Sequence, residues 1–91
     1  MEVHVFYNSF LLRKITKTDT EQFSVKEGSN IEDLLKLLAE KYGELFEKMV
    51  IDKNTGNLKM LILLNGSKVA GLKINMNDQD RINILSFITG G

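Results

Sequence analysis

Apolar and polar residues alternate from the start of the chain. In "EVHVFY", Val3, Val5 and Tyr7 share one face, while His4 and Phe6 share the other. That period of two is the signature of a strand. "SFLLRKI" has no clean period and reads as a short turn or loop. "EQFSVKEG" alternates again, with Phe23 and Val25 on one face, and stops at Gly28. Two strands joined by a short connection predict a hairpin. The period then changes. Ile31, Leu34, Leu35, Leu38 and Tyr42 form one stripe of an amphipathic helix about a dozen residues long. Ser29 and Glu32 have the spacing of a capping box, and Gly43 stands where a left-handed C-terminal cap belongs.

The second half is richer in strand signals. "ELFEKMVI" reads as a further helical turn and a short extended piece. "DKNTGN" is a loop with its turn-forming core at Asn54 to Asn57. "LKMLILL" is a strand ended by Asn65-Gly66, a strong tight-turn dipeptide. "SKVAGLKI" gives a short strand and a bend at Gly71, "NMNDQD" a polar turn, and "RINILSF" the last strand, with Ile82 and Ile84 on one face. One helix laid across a mixed sheet of four to five strands is an α+β layout. The first and last strands are the candidates for the sheet centre.

Such a sheet has one covered face and one bare face, and a bare antiparallel face is ordinarily polar. Here Phe6, Leu61, Leu63, Leu85 and Phe87 fall on the parity opposite to the core-facing set. Neighbouring strands bring them together. A contiguous apolar patch of this kind marks a partner surface, unless connecting segments fold over it.

Composition narrows the function classes. The 91 residues, 43% apolar and 26% charged, make one ordinary globular domain. A chain of this size hides roughly two thirds of its unfolded surface. Without cysteine there is no disulfide frame, thiol nucleophile or thiolate metal site. Twelve basic and twelve acidic residues cancel, and no basic stripe is visible, which argues against direct nucleic-acid binding. "MEVHVFY" lacks the features of a signal peptide, and the longest apolar run, Met60 to Leu64, is too short to cross a bilayer. The expectation is a cytoplasmic protein with no membrane segment.

The folded body offers little chemistry. His4 is the sole histidine and reads as a surface strand residue. "DKNTGN" begins like a calcium loop at Asp52 and Asn54 but has Gly56 at the fifth position and Leu63 at the twelfth, so no metal is assigned. Asp78 and Asp80 read as turn formers. The scattered glycines form no phosphate loop. The end is different. "ITGG" places Gly90 and Gly91 after the last strand, a pairing of roughly half-percent chance frequency. Glycine has no Cβ, so its backbone can thread a channel too narrow for other residues. Its carboxylate is a poor electrophile until joined to AMP, after which a sulfide, a thiol or a lysine amine can displace the nucleotide. Residues 1–87 are expected to be the folded domain and 88–91 a flexible tail.

Five segments in register resemble the ubiquitin-like β-grasp sulfur carriers, above all the MoaD-type family and its archaeal protein-modifying relatives. They are the first strand "VHVFY", the helix "GSNIEDLLKLLAEKYGEL", the strand end "LLNG", the turn and strand "MNDQDRINIL", and the final "GG". The chain departs from the family pattern at Ser86 and Phe87, where proline is frequent, and at Gln79, where a "D-G-D" turn has glycine. The thiamin carrier family shares the Gly-Gly end but is generally shorter. The resemblance implies a carrier rather than an enzyme, with no bound cofactor. An E1-like adenylating enzyme would use ATP to activate Gly91, and a sulfur donor would convert the adenylate to a thiocarboxylate. A MoaE-like large subunit or a tRNA-thiolating enzyme would accept the sulfur. Gly90 would give slim passage; Phe87, Ile88 and Thr89 would be gripped by partners; Phe6, Leu61, Leu63 and Leu85 would dock the body. Two other readings stay open: a modifier conjugated to protein lysines through the same end, and a plain β-grasp interaction module.

Overall fold

In the computed structural model the chain is described over residues 1–87. The expectations placed on Ile88, Thr89, Gly90 and Gly91 lie outside the described residues. The elements are β1 (Glu2–Asn8), α1 (Phe10–Thr16), β2 (Thr20–Ser24), α2 (Ile31–Tyr42), α3 (Glu44–Val50), β3 (Leu61–Leu64), β4 (Ser67–Lys68) and β5 (Arg81–Leu85). The five strands form one sheet in the order β2-β1-β5-β3-β4. β1 and β5 run parallel, and the other neighbours are antiparallel. The first and last strands therefore lie inside the sheet, as the alternation predicts. Parallel neighbours need a long crossover, and α2 lies within it. This is the expected α+β, β-grasp layout with one main helix.

The core forms because both periodicities aim at it. Val3, Val5 and Tyr7 of β1, Ile82 and Ile84 of β5, and Ile62 of β3 are buried with Ile31, Leu34, Leu35 and Leu38 of α2 in one cluster. Each such side chain contributes about 1.5–3 kcal/mol on burial. Tyr42, the last member of the stripe, is only half-buried. The cap of α2 sits one residue later than the Ser29–Glu32 spacing predicts. Asn30 accepts a hydrogen bond from the Asp33 amide, and the Asp33 carboxylate accepts one from the Asn30 amide. The two alternatives have the same spacing, so composition alone does not separate them.

"SFLLRKI" is a helix, not the turn or loop expected. Ser9 caps it by accepting from the Leu12 amide, and Lys17 closes it in a left-handed conformation with φ 63°. Leu12 and Thr16 turn inward while Phe10 and Leu11 stay exposed. Apolar residues on both sides of a seven-residue helix blur its period. β1 and β2 still pair antiparallel, but across a connection that contains this helix. "ELFEKMVI" supplies the full helix α3, longer than the single turn expected. Gly43 ends α2 and heads α3 at φ 92°, ψ −173°, an extended geometry with positive φ rather than a left-handed cap. The third strand is shorter than expected: Leu58 makes only an isolated bridge to Ile51, and β3 begins at Leu61.

Candidate functional site

The strand register sets out the open face. Phe6 lies opposite Asn83, and Asn83 lies opposite Leu63. In the next row toward the ends of β1 and β5, Asn8 lies opposite Leu85, and Leu85 opposite Leu61. Phe6, Leu61, Leu63 and Leu85 therefore share one face, each half-buried. All three helices place their buried side chains in the core on the other side, through Leu12, Leu38 and Phe46 among others. The patch is not purely apolar. The Asn8 and Asn83 side chains hydrogen-bond across its middle, and the Arg81 guanidinium stacks 4.9 Å from the centre of the Phe6 ring.

The far end of the same face is polar. The Glu2 carboxylate accepts from Ser24 Oγ and from Gln22 Nε2. Those two bonds, Ser24 first, hold its pKa below the ordinary carboxylate value. His4 is half-exposed, with Nε2 2.9 Å from Gln79 Oε1. The Asp78 carboxylate accepts from the Glu2 amide at 2.7 Å, the main cause of its lowered pKa. Asp80, only 7% exposed, accepts from the Asn77 amide at 2.7 Å and from Asn65 Nδ2 at 2.9 Å. Asp80 closes its own turn through the Asn77 amide, as the turn-forming reading requires, whereas Asp78 ties that turn to the start of β1.

Phe87 is not part of the sheet patch. β5 ends at Leu85, so Phe87 lies past the last paired residue and its strand parity no longer applies. It is 50% exposed. It lines a cleft of about 560 Å³ with Leu11, Met49 and Met60, with Ser9, Ser86 and Lys59 completing the wall. This cleft opens at the end of the sheet where the parallel strands β1 and β5 both finish, next to the start of residues 88–91. Sequence reasoning missed Leu11, Met49, Met60 and Lys59. The available signal was the Phe10-Leu11 doublet beside Arg13 and Lys14, inside a segment read as a turn.

The site thus joins a half-buried apolar sheet face to a cleft at the root of the tail. Apolar side chains edged by polar ones, as on the described residues of both, are the composition of a docking surface. Comparisons with known proteins agree on the fold. SAMP1 of Haloferax volcanii matches at TM-score 0.82 and 19% identity, with 100% of each chain covered; a second structure names that protein a small archaeal modifier protein. A chain of the Amycolatopsis orientalis BexX/CysO complex matches at TM-score 0.75 and 18% identity, covering 98% of this chain and 99% of that one. A chain of the complex of subunits 1 and 2 of the molybdopterin-converting factor of Helicobacter pylori matches at TM-score 0.67 and 22% identity, with 100% of each covered. At these identities the likeness is one of fold, and two of the three structures are complexes with another protein. No curated protein matches the sequence. The sequence model of the ThiS family matches residues 7–91, nearly the whole length and both final glycines, and the chain therefore belongs to the ThiS family, as the MoaD-type resemblance led one to expect.

Proposed function

We propose that this protein is a ubiquitin-like sulfur carrier in the cytoplasm, a co-substrate rather than a catalyst. The observation that carries the reading is the family match that runs through Gly90 and Gly91 on a β-grasp body. In the proposed cycle the Gly91 carboxylate attacks the α-phosphate of ATP in an E1-like enzyme, and pyrophosphate leaves. A sulfide equivalent then displaces AMP and leaves a thiocarboxylate. An acceptor enzyme, such as a MoaE-like large subunit or a tRNA-thiolating enzyme, takes the sulfur, and water supplies the oxygen that restores the carboxylate. Phe6, Leu61, Leu63 and Leu85 dock the body, and Phe87, Ile88 and Thr89 are held by the partner. No cofactor is needed on the carrier; ATP serves the activating enzyme.

The test is intact mass after incubation with ATP, an E1-like enzyme and sulfide. The carrier reading expects a gain equal to one oxygen replaced by sulfur, and expects a chain with one residue appended after Gly91 to show none. An unchanged mass in the native chain, under conditions that load a known carrier, would overturn the sulfur-carrier reading. The likeness to a small archaeal modifier protein supports a second use of the same activated end, transfer to protein lysines. Protein lysines in isopeptide linkage to Gly91, read in cells as branched peptides that carry the segment from Ile82 to Gly91 after tryptic cleavage at Arg81, would establish that use, and their absence would remove it.

A further inference from the structure

The cleft beside Phe87 is lined by residues other than those of the open sheet face. Among the described residues the large apolar side chains most exposed include Phe10 at 66%, Leu11 at 57% and Phe87 at 50%. Leu11 and Phe87 face the same cleft, and Phe10 precedes Leu11 on the outer side of α1. Buried Leu12 fixes α1, the helix that carries Phe10 and Leu11, to the core. Exposed apolar side chains gathered at one place mark an interaction site.

The charge around them is mainly positive, with Asp19 the acidic residue beside Phe10, Arg13, Lys14 and Lys17. Lys59 is the one charged residue among the described residues lining the cleft. α1 carries Arg13 and Lys14 and no acidic residue, and Lys17 caps its end. Arg13 is offset by Asp19 at 3.6 Å, but Lys14, Lys17 and Lys59 form no ion pair with any described residue. The Lys14 ammonium lies 4.9 Å from the centre of the Phe10 ring, which ties the charge to the apolar edge. Exposed Leu45 offers a contrast: it stands beside Glu44 on α3 and does not line this cleft.

Reach decides what covers this surface. Four residues follow Phe87, and four extended residues span at most about 14 Å. An enzyme that engages the Gly91 carboxylate therefore works within that distance of Phe87 and of the cleft it lines. We propose that α1 and the cleft, through Phe10, Leu11, Lys14, Lys59 and Phe87, form a second docking surface for the activating enzyme, which meets it with an apolar side chain ringed by carboxylates. The surface rests on the carrier reading, since its occupant is the enzyme that adenylates the tail. Opposite charge at such a rim speeds encounter and selects the partner, and apolar contact slows release.

The experiment measures equilibrium binding of the full chain to an E1-like adenylating enzyme of the same organism, with pyrophosphate release followed in parallel. The variants are Leu11→Glu, Lys14→Glu and, as a control, Leu45→Glu, all at exposed positions; circular dichroism checks that each is folded. Leu11→Glu and Lys14→Glu are each expected to weaken binding about tenfold, the size of a contributing interface residue. Leu45→Glu should bind as the native chain does. Added salt should weaken the native chain more than Lys14→Glu. Native affinity in both α1 variants would overturn the surface even if Gly91 is adenylated normally. Tight binding lost in both variants, with no pyrophosphate released by the native chain, would keep the surface and remove the carrier reading. Binding of the native chain to phosphatidylglycerol vesicles, lost in both variants while enzyme binding is unchanged, would also overturn it, since the occupant would be a membrane.

Discussion

Glu21 does more for this fold than its place on an edge strand suggests. Its carboxylate accepts from the Tyr7 hydroxyl at 2.9 Å, from the Tyr42 hydroxyl and from the Lys41 ammonium. It thereby ties β2 to β1 and to the end of α2. Tyr7 is fully buried, with its ring edge-on to Tyr42 and Phe46 at centroid distances of 6.2 and 6.3 Å. Burial pushes the Glu21 carboxyl up, but the bonds from Lys41, Tyr42 and Tyr7 together outweigh it and hold the pKa below the ordinary value. A depressed carboxyl pKa stabilises the fold above the unfolded-state value, about 4.3, and the gain is lost as pH falls through the folded value below it. Burial, then the Glu21 bond, raises the Tyr7 pKa well above its ordinary value. That contribution is full below about pH 10 and is lost as pH climbs beyond it. Glu21→Ala is expected to cost about 1–3 kcal/mol, since it leaves the buried Tyr7 hydroxyl without this acceptor. Urea unfolding at neutral pH checks the cost. The same measurement from pH 5 down to 3 should show a flatter acid limb in Glu21→Gln than in the native chain.

Among the joints between elements Gly43 is one of the tightest. It serves α2 and α3 at once, with φ 92° and ψ −173°, a region that is essentially glycine-only. A Cβ there would meet nothing within 4 Å, so conformation rather than space excludes other residues. Gly43→Ala is expected to lower stability by about 1–3 kcal/mol, read as a lower denaturant midpoint with an unchanged slope. The stripe of α2 is the other element-scale determinant. Leu38 is fully buried, and Leu38→Ala should cost about 2–5 kcal/mol in the same assay. Leu37, next to it but 38% exposed, should tolerate alanine with a much smaller change.

At the scale of the whole molecule the two faces of the sheet have different work. One is filled by the helices. The other presents Phe6, Leu61, Leu63 and Leu85 around the Asn8–Asn83 pair, on a protein whose proposed chemistry lies at Gly91. Leu63→Asp and Leu85→Asp replace half-buried side chains that do not belong to the core cluster of buried residues. They are expected to leave a cooperative unfolding transition while weakening the complex with a sulfur-acceptor subunit about tenfold or more, as for a central interface residue. Calorimetric titration of the acceptor against both variants checks this, and full native affinity would show that the patch serves the fold instead.

Periodicity alone determined the strands β1, β2 and β5, the stripe of α2 and the apolar parity of the open face, because alternation and the helical repeat record which side chains face a core. The glycine pair and the family segments were likewise legible as residues in order. Tertiary structure decided the rest. The helix at Phe10–Thr16 depends on Leu12 and Thr16 reaching the core, a long-range contact that seven residues cannot announce. The capping box moved to Asn30 and Asp33 because the backbone, not the spacing, selects between equivalent pairs. Phe87 left the sheet face because β5 ends at Leu85, and parity has meaning only while a strand is paired. The cleft of Leu11, Met49, Met60 and Phe87 unites residues from four separate parts of the chain. No local pattern encodes such a meeting, since it exists only once the strands and helices have packed.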